Sequence, residues 1–120
     1  MLFTINLQSG APIYEQLYGR VAELIAQNIL KADDQLPTVR MLAKDLGVNP
    51  NTVQKAYQEL ERDGVIYSLA GKGSFIAALD KAVPAIHRRA LSAFRLAAAD
   101  ALRTGLTRDE LRSEIEAIPG

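Results

Sequence analysis

The chain has 120 residues, with 14 Lys+Arg against 14 Asp+Glu, one His and no Cys. That length suits one modest domain with an appendage; the missing Cys excludes a disulfide framework, a thiolate nucleophile and a Cys-built zinc site; and no apolar run is long enough to span a membrane. A net charge of zero weighs against any partner held by bulk charge alone, nucleic acid included.

The opening MLFTINLQSG lacks the basic start and long apolar run of a signal peptide, so a cytoplasmic location is expected. Pro12 fits a first helical turn, where its missing N–H costs nothing. Ile13, Leu17, Leu24 and Ile25 then recur at helical spacing, with Val21 and Ile29 close to the same face, and the helix is expected to end around Asn28–Leu30. Thr38 is a good N-cap for a second helix whose apolar stripe is Val39, Leu42, Ala43 and Leu46. Gly47 supplies the left-handed residue that ends it. Asn49 can cap a third helix with Pro50 in its first turn and Val53, Ala56, Tyr57 and Leu60 on its buried side. Two short amphipathic helices around a tight turn form a helix-turn-helix pattern.

Val65–Leu69 and Ser74–Ala77 predict two strands around an Ala70-Gly71-Lys72-Gly73 turn. After Asp80 the chain becomes rich in Ala, Leu and Arg. Val83, Ile86 or His87, Ala90, Phe94, Ala97 and Ala101 repeat at three- and four-residue intervals, and Leu91, Ala98 and Leu102 widen the stripe. Thr104-Gly105 breaks this helix, and Thr107 with Glu110 forms a capping box for a last one. The fold class is therefore mainly α with a small β-hairpin: a winged helix-turn-helix over residues 1–79 and a two-helix tail over 80–120.

A second helix of this kind lies in the DNA major groove with its N-terminal residues at base edges. Asn49, Asn51, Thr52, Gln54 and Lys55 occupy those positions; Asn and Gln pair with adenine, Thr meets a thymine methyl, and Lys reaches guanine or phosphate. Arg40 and Lys44, on the helix before, are candidates to clamp the DNA backbone or to reach into the groove. Asn49 and Asn51 also suit plain capping roles. Gly71 and Lys72 at the hairpin tip permit close approach to phosphate, although they also suit an ordinary turn. Neither GxGxxG nor GxxxxGK[ST] is present, and no nucleophile–base pair or metal-ligand spacing is visible, so no enzyme activity, cofactor or metal is expected.

PIYEQL at 12–17, LPTVRMLAKDLGVNPNTVQKAYQELERDGVI at 36–66 and GKGSF at 71–75 resemble the DNA-binding domain of GntR-family bacterial transcription regulators. The resemblance implies dimeric, operator-specific DNA binding, with the family's contacts falling on Arg40, Asn49, Asn51, Thr52, Gln54, Gly71 and Lys72. Members usually carry Gly where this chain has Asn28 and Asp33; both residue types tolerate left-handed geometry, so the turns are expected to survive. The apolar Leu69-Ala70 replaces the basic residues common before the wing's first Gly.

Two tail helices cannot bury both their faces alone, so the stripe through Val83, Ile86, His87, Ala90, Leu91, Phe94, Ala97, Ala98 and Ala101 is expected to form a homodimer interface. Packing back onto the first domain is the alternative. The short tail resembles that of the YtrA-like subfamily, which lacks a large effector domain; whether an effector binds, for instance near His87, Arg88 and Phe94, stays open. The sequence thus predicts a homodimeric regulator, in the sense of a repressor, of a two-fold double-stranded DNA operator. A winged-helix module that binds protein instead is the competing reading.

Overall fold

The computed structural model describes residues 2–120. Its elements are α1 (Ile13–Ala26), α2 (Val39–Leu46), α3 (Pro50–Arg62), β1 (Ile66–Leu69), β2 (Gly73–Ile76), α4 (Leu79–Arg103) and α5 (Arg108–Ala117). The chain divides into two units, one through Ile86 and one from His87, so the division falls inside α4.

The first unit is built on the amphipathic stripes of its helices. Leu17, Val21 and Leu24 of α1, Leu42 of α2, and Val53 and Leu60 of α3 are almost wholly buried. Burying each such side chain contributes about 1.5–3 kcal/mol, which offsets the ordering of three short helices that are marginal in isolation. Val65, Ile66 and Ile76 extend this core under the hairpin, where β1 and β2 pair antiparallel with Ile66 opposite Ile76.

Chain reversals follow local chemistry. Helix α1 stops at Ala26, slightly earlier than expected, and Asn28 takes φ 60° in the turn beyond. Asp33 takes φ 68°, so both positions that lack the usual Gly hold the left-handed geometry. Gly47, at φ 69°, closes α2. The Tyr57 hydroxyl donates to the Pro37 carbonyl at 2.6 Å and so anchors the residue just before the α2 cap to α3.

Two features lie outside the periodicities. The N-terminal segment packs on α1: Phe3 is buried, the Asn6 N–H donates to Gln16 Oε1 at 2.7 Å, and Arg20 Nε donates to the Leu2 carbonyl at 2.6 Å. Residues 33–36 flank β2, with the Ile76 N–H donating to the Asp34 carbonyl and the Leu36 N–H to the Ser74 carbonyl, each at 2.9 Å. The hairpin thus has an irregular third edge.

In the second unit, Phe94, Ala98 and Leu102 of α4 line an open groove together with Leu111 and Ile115 of α5. Thr107 and Glu110 make the expected capping box. No helix among the described residues is long and apolar enough to cross a membrane.

Candidate nucleic-acid interface

The turn between α2 and α3 is held by its caps. Thr38 Oγ1 accepts from the Met41 N–H at 3.1 Å, and Asn49 Oδ1 accepts from the Asn51 N–H at 2.8 Å. Each satisfies an N–H that a helix start leaves without an intrahelical partner. The Asn49 oxygen is therefore engaged within the protein itself, on a residue that stays exposed.

Because Val53, Ala56, Tyr57 and Leu60 turn inward, helical spacing turns Asn51, Gln54, Lys55 and Gln58 outward; all four are exposed and Thr52 is half-exposed. Arg40 and Lys44 lie four residues apart on the exposed side of α2. Asn51, Thr52 and Lys55 share a shallow cleft with Pro12, Ile13 and Tyr14 from the start of α1. There the Lys55 ammonium sits 3.9 Å from the centre of the Tyr14 ring, a cation–π contact that keeps the charge and steers it.

At the hairpin tip, Gly71 and Gly73 take φ 75° and 116°, and Lys72 between them is exposed. The Lys72 N–H donates to the Leu69 carbonyl at 2.9 Å, and its own carbonyl accepts from Gln35 Nε2 at 2.9 Å. Tyr67 stacks on Phe75 with ring centres 5.5 Å apart, and its hydroxyl donates to Asp33 Oδ1 at 2.8 Å. That hydrogen bond to a carboxylate, with lesser contributions from burial and the negative charge of Asp33, holds the Tyr67 phenol above its ordinary pKa. Burial raises the Tyr57 phenol likewise.

Sequence periodicity overlooks Tyr14 and Gln35. Tyr14 stands inside the PIYEQL word and reads there as a helix residue; Gln35 directly precedes the Leu-Pro pair and reads as loop. Their partners lie 41 and 37 residues away, beyond the reach of any local pattern.

The expected interface stripe separates into two environments. Val83 and Ile86 pack half-buried against the first unit's own core, beside the buried Ala82 and Ala85. The first turns of α4 thus cover the same domain that precedes them. His87, Ala90, Leu91, Phe94 and Ala97 are exposed, and Ala98 and Ala101 half-exposed, all within the second unit. No cluster of three or more His, Cys, Asp or Glu suited to a metal occurs among the described residues.

This arrangement of capped helix pair and hairpin coincides with a family pattern: the model of the bacterial regulatory proteins of the gntR family matches residues 13–76. The chain belongs to the gntR family. Over 76 residues it is 47% identical to the HTH-type transcriptional repressor YtrA of Bacillus subtilis, an alignment covering 63% of this chain and 58% of that repressor. Across 97% of this gntR-family chain the fold follows that of a transcriptional antiterminator from Listeria monocytogenes, at 36% identity, a TM-score of 0.75 and 88% coverage of that chain. The DNA-binding domain of AraR, solved in complex with operator ORE1, superposes with a TM-score of 0.54 at 28% identity, covering 64% of this chain and 94% of that one.

Proposed function

We propose that this gntR-family chain is a sequence-selective DNA-binding transcription regulator that acts in the cytoplasm as a homodimeric repressor on a two-fold operator. The observation that carries the reading is the exposed start of α3. Asn51, Gln54 and Lys55 project from a helix whose cap, core stripe and neighbouring α1 are all fixed. Hydrogen-bonding groups on a rigid helix start are what direct base readout needs.

In this reading Asn51, Thr52 and Gln54 meet base edges, Lys55 meets guanine or phosphate, and the NH2 group of Asn49 adds a donor at the groove wall. Arg40, Lys44 and the Gly71-Lys72 tip hold the phosphate backbone. The apolar surface of the tail, with Leu91 and Phe94 exposed, joins two copies. Their α3 helices then enter successive major grooves about one helical turn, roughly 34 Å, apart. Up to residue 78 the acidic side chains slightly outnumber the basic ones, so non-specific affinity is weak and selectivity depends on base contacts. The operator complex of the AraR domain supports the mode of binding. Nothing in the site calls for chemistry on a substrate, and the protein is read as a regulator without enzymatic activity.

The test is selection of duplexes from a randomised pool by the full chain, followed by a mobility shift. Enrichment of an inverted repeat that shifts against excess random DNA is expected; a pool that never converges would refute the reading.

A further inference from the structure

The wing tip presents a mechanical difficulty. Lys72 stands between two glycines, both at positive φ, so the local backbone imposes little on the direction of its side chain. Two hydrogen bonds restrain it. One is the turn's own, from the Lys72 N–H to the Leu69 carbonyl; the other comes from outside the hairpin, from the Gln35 side-chain amide to the Lys72 carbonyl.

Gln35 is itself well placed for this. Its backbone forms a bridge with Phe75 of β2, and the Leu36 N–H beside it donates to the Ser74 carbonyl. The side chain then runs along the hairpin and crosses Gly73, where a Cβ would lie only 2.9 Å from Gln35 Nε2. Gly73 therefore serves two purposes: it adopts φ 116°, and it leaves the space through which the amide passes.

We infer that Gln35 is a positioning residue of the wing, which fixes the Lys72 main chain so that the ammonium is presented to a phosphate. The inference rests on the DNA-binding reading above. It places a determinant of wing contact just ahead of the α2 cap, outside the hairpin itself. The wing and the helix pair are thereby registered to each other through residues 33–38: Asp33 holds Tyr67, Gln35 holds Lys72, and the Pro37 carbonyl receives Tyr57.

Gln35→Met keeps the side-chain length and removes the donor. Its effect is read by fluorescence anisotropy on a duplex selected from a randomised pool by the parent chain, over a series of salt concentrations. Binding by Gln35→Met is expected to weaken about three- to tenfold, the range of one lost hydrogen bond, with the circular dichroism spectrum of the folded chain retained. Lys72→Ala is expected to lower the salt slope by about one. In the Lys72→Ala background the further loss from Gln35→Met falls below about twofold, because the group it positions is gone. Equal losses in both backgrounds would mean that Gln35 touches DNA itself or acts through general stability, and would overturn the inference. An unchanged affinity of the single variant would do the same. If the parent chain selects no duplex, the DNA-binding reading fails and this inference with it; a parent chain that binds selectively, with Gln35→Met its equal, sinks the inference alone.

Discussion

Asn49 and Asn51 stand two residues apart, and the side-chain oxygen of the first accepts the main-chain N–H of the second at 2.8 Å. Two asparagines that look equivalent in the sequence are thereby given unequal duties, since one builds the helix start that the other projects from. Asn49→Ala is expected to cost about 1 kcal/mol of stability by loss of the cap, and Asn49→Asp or Asn49→Ser to restore most of it. Urea unfolding monitored by circular dichroism measures this. A loss that Asp and Ser both fail to recover would remove the capping role.

Tyr57 links pH to stability. Its hydroxyl donates to the Pro37 carbonyl, and burial raises its pKa above the ordinary 10.0. Below pH 10.0 the phenol is neutral in the folded and unfolded chain alike, so its contribution is fully present. As the pH climbs beyond that value only the unfolded chain releases the proton, and the contribution is lost toward the raised native pKa. Tyr57→Phe should cost about 1 kcal/mol near neutral pH, because the Pro37 carbonyl loses its donor. The gap to the parent should then narrow above pH 10.0, where Phe has nothing to ionise. Chemical denaturation at several alkaline pH values checks both halves; a gap independent of pH would contradict the assignment.

Asn28 occupies left-handed backbone at φ 60° without being Gly. Asn28→Gly should leave stability unchanged or raise it by up to about 1 kcal/mol, and Asn28→Ala should lower it by about 1 kcal/mol. Thermal midpoints of the pair measure the difference. Ala and Gly variants of equal stability would mean that the turn relaxes to another conformation.

The tail carries the prediction about assembly. Phe94 is 50% exposed and Leu91 54% exposed on α4. If that surface joins two copies, Phe94→Asp in the full chain should convert a dimer into a monomer by sedimentation velocity, with the circular dichroism spectrum retained. A variant that sediments as the parent does would place the contact elsewhere.

What could be read from the sequence was what is decided within one turn of chain. Thr38, Asn49 and Thr107 announce helix starts because a short polar side chain reaches its own backbone two or three residues on, and each does so. Asn28 and Asp33 were legible for the same reason, as residue types that bear a positive φ. Periodicity told which side of each helix is apolar but not what covers it. Val83 and Phe94 belong to one stripe, yet the first packs on the preceding domain and the second lies open. Lys55 over Tyr14 and Gln35 on Lys72 were hidden because such contacts arise only when the core brings distant segments together. The buried Phe3 escaped for want of any pattern in so short a segment.

The central claim is that the exposed start of α3 reads bases, and Asn51→Ala tests it most directly. Affinity would be measured for parent and variant on the selected duplex and on a scrambled duplex at one fixed salt concentration. The parent should prefer the selected duplex by at least about a thousandfold. The variant should lose about 1–3 kcal/mol on the selected duplex and nothing measurable on the scrambled one. Equal losses on both duplexes would contradict the claim, for Asn51 would then be serving affinity without serving recognition.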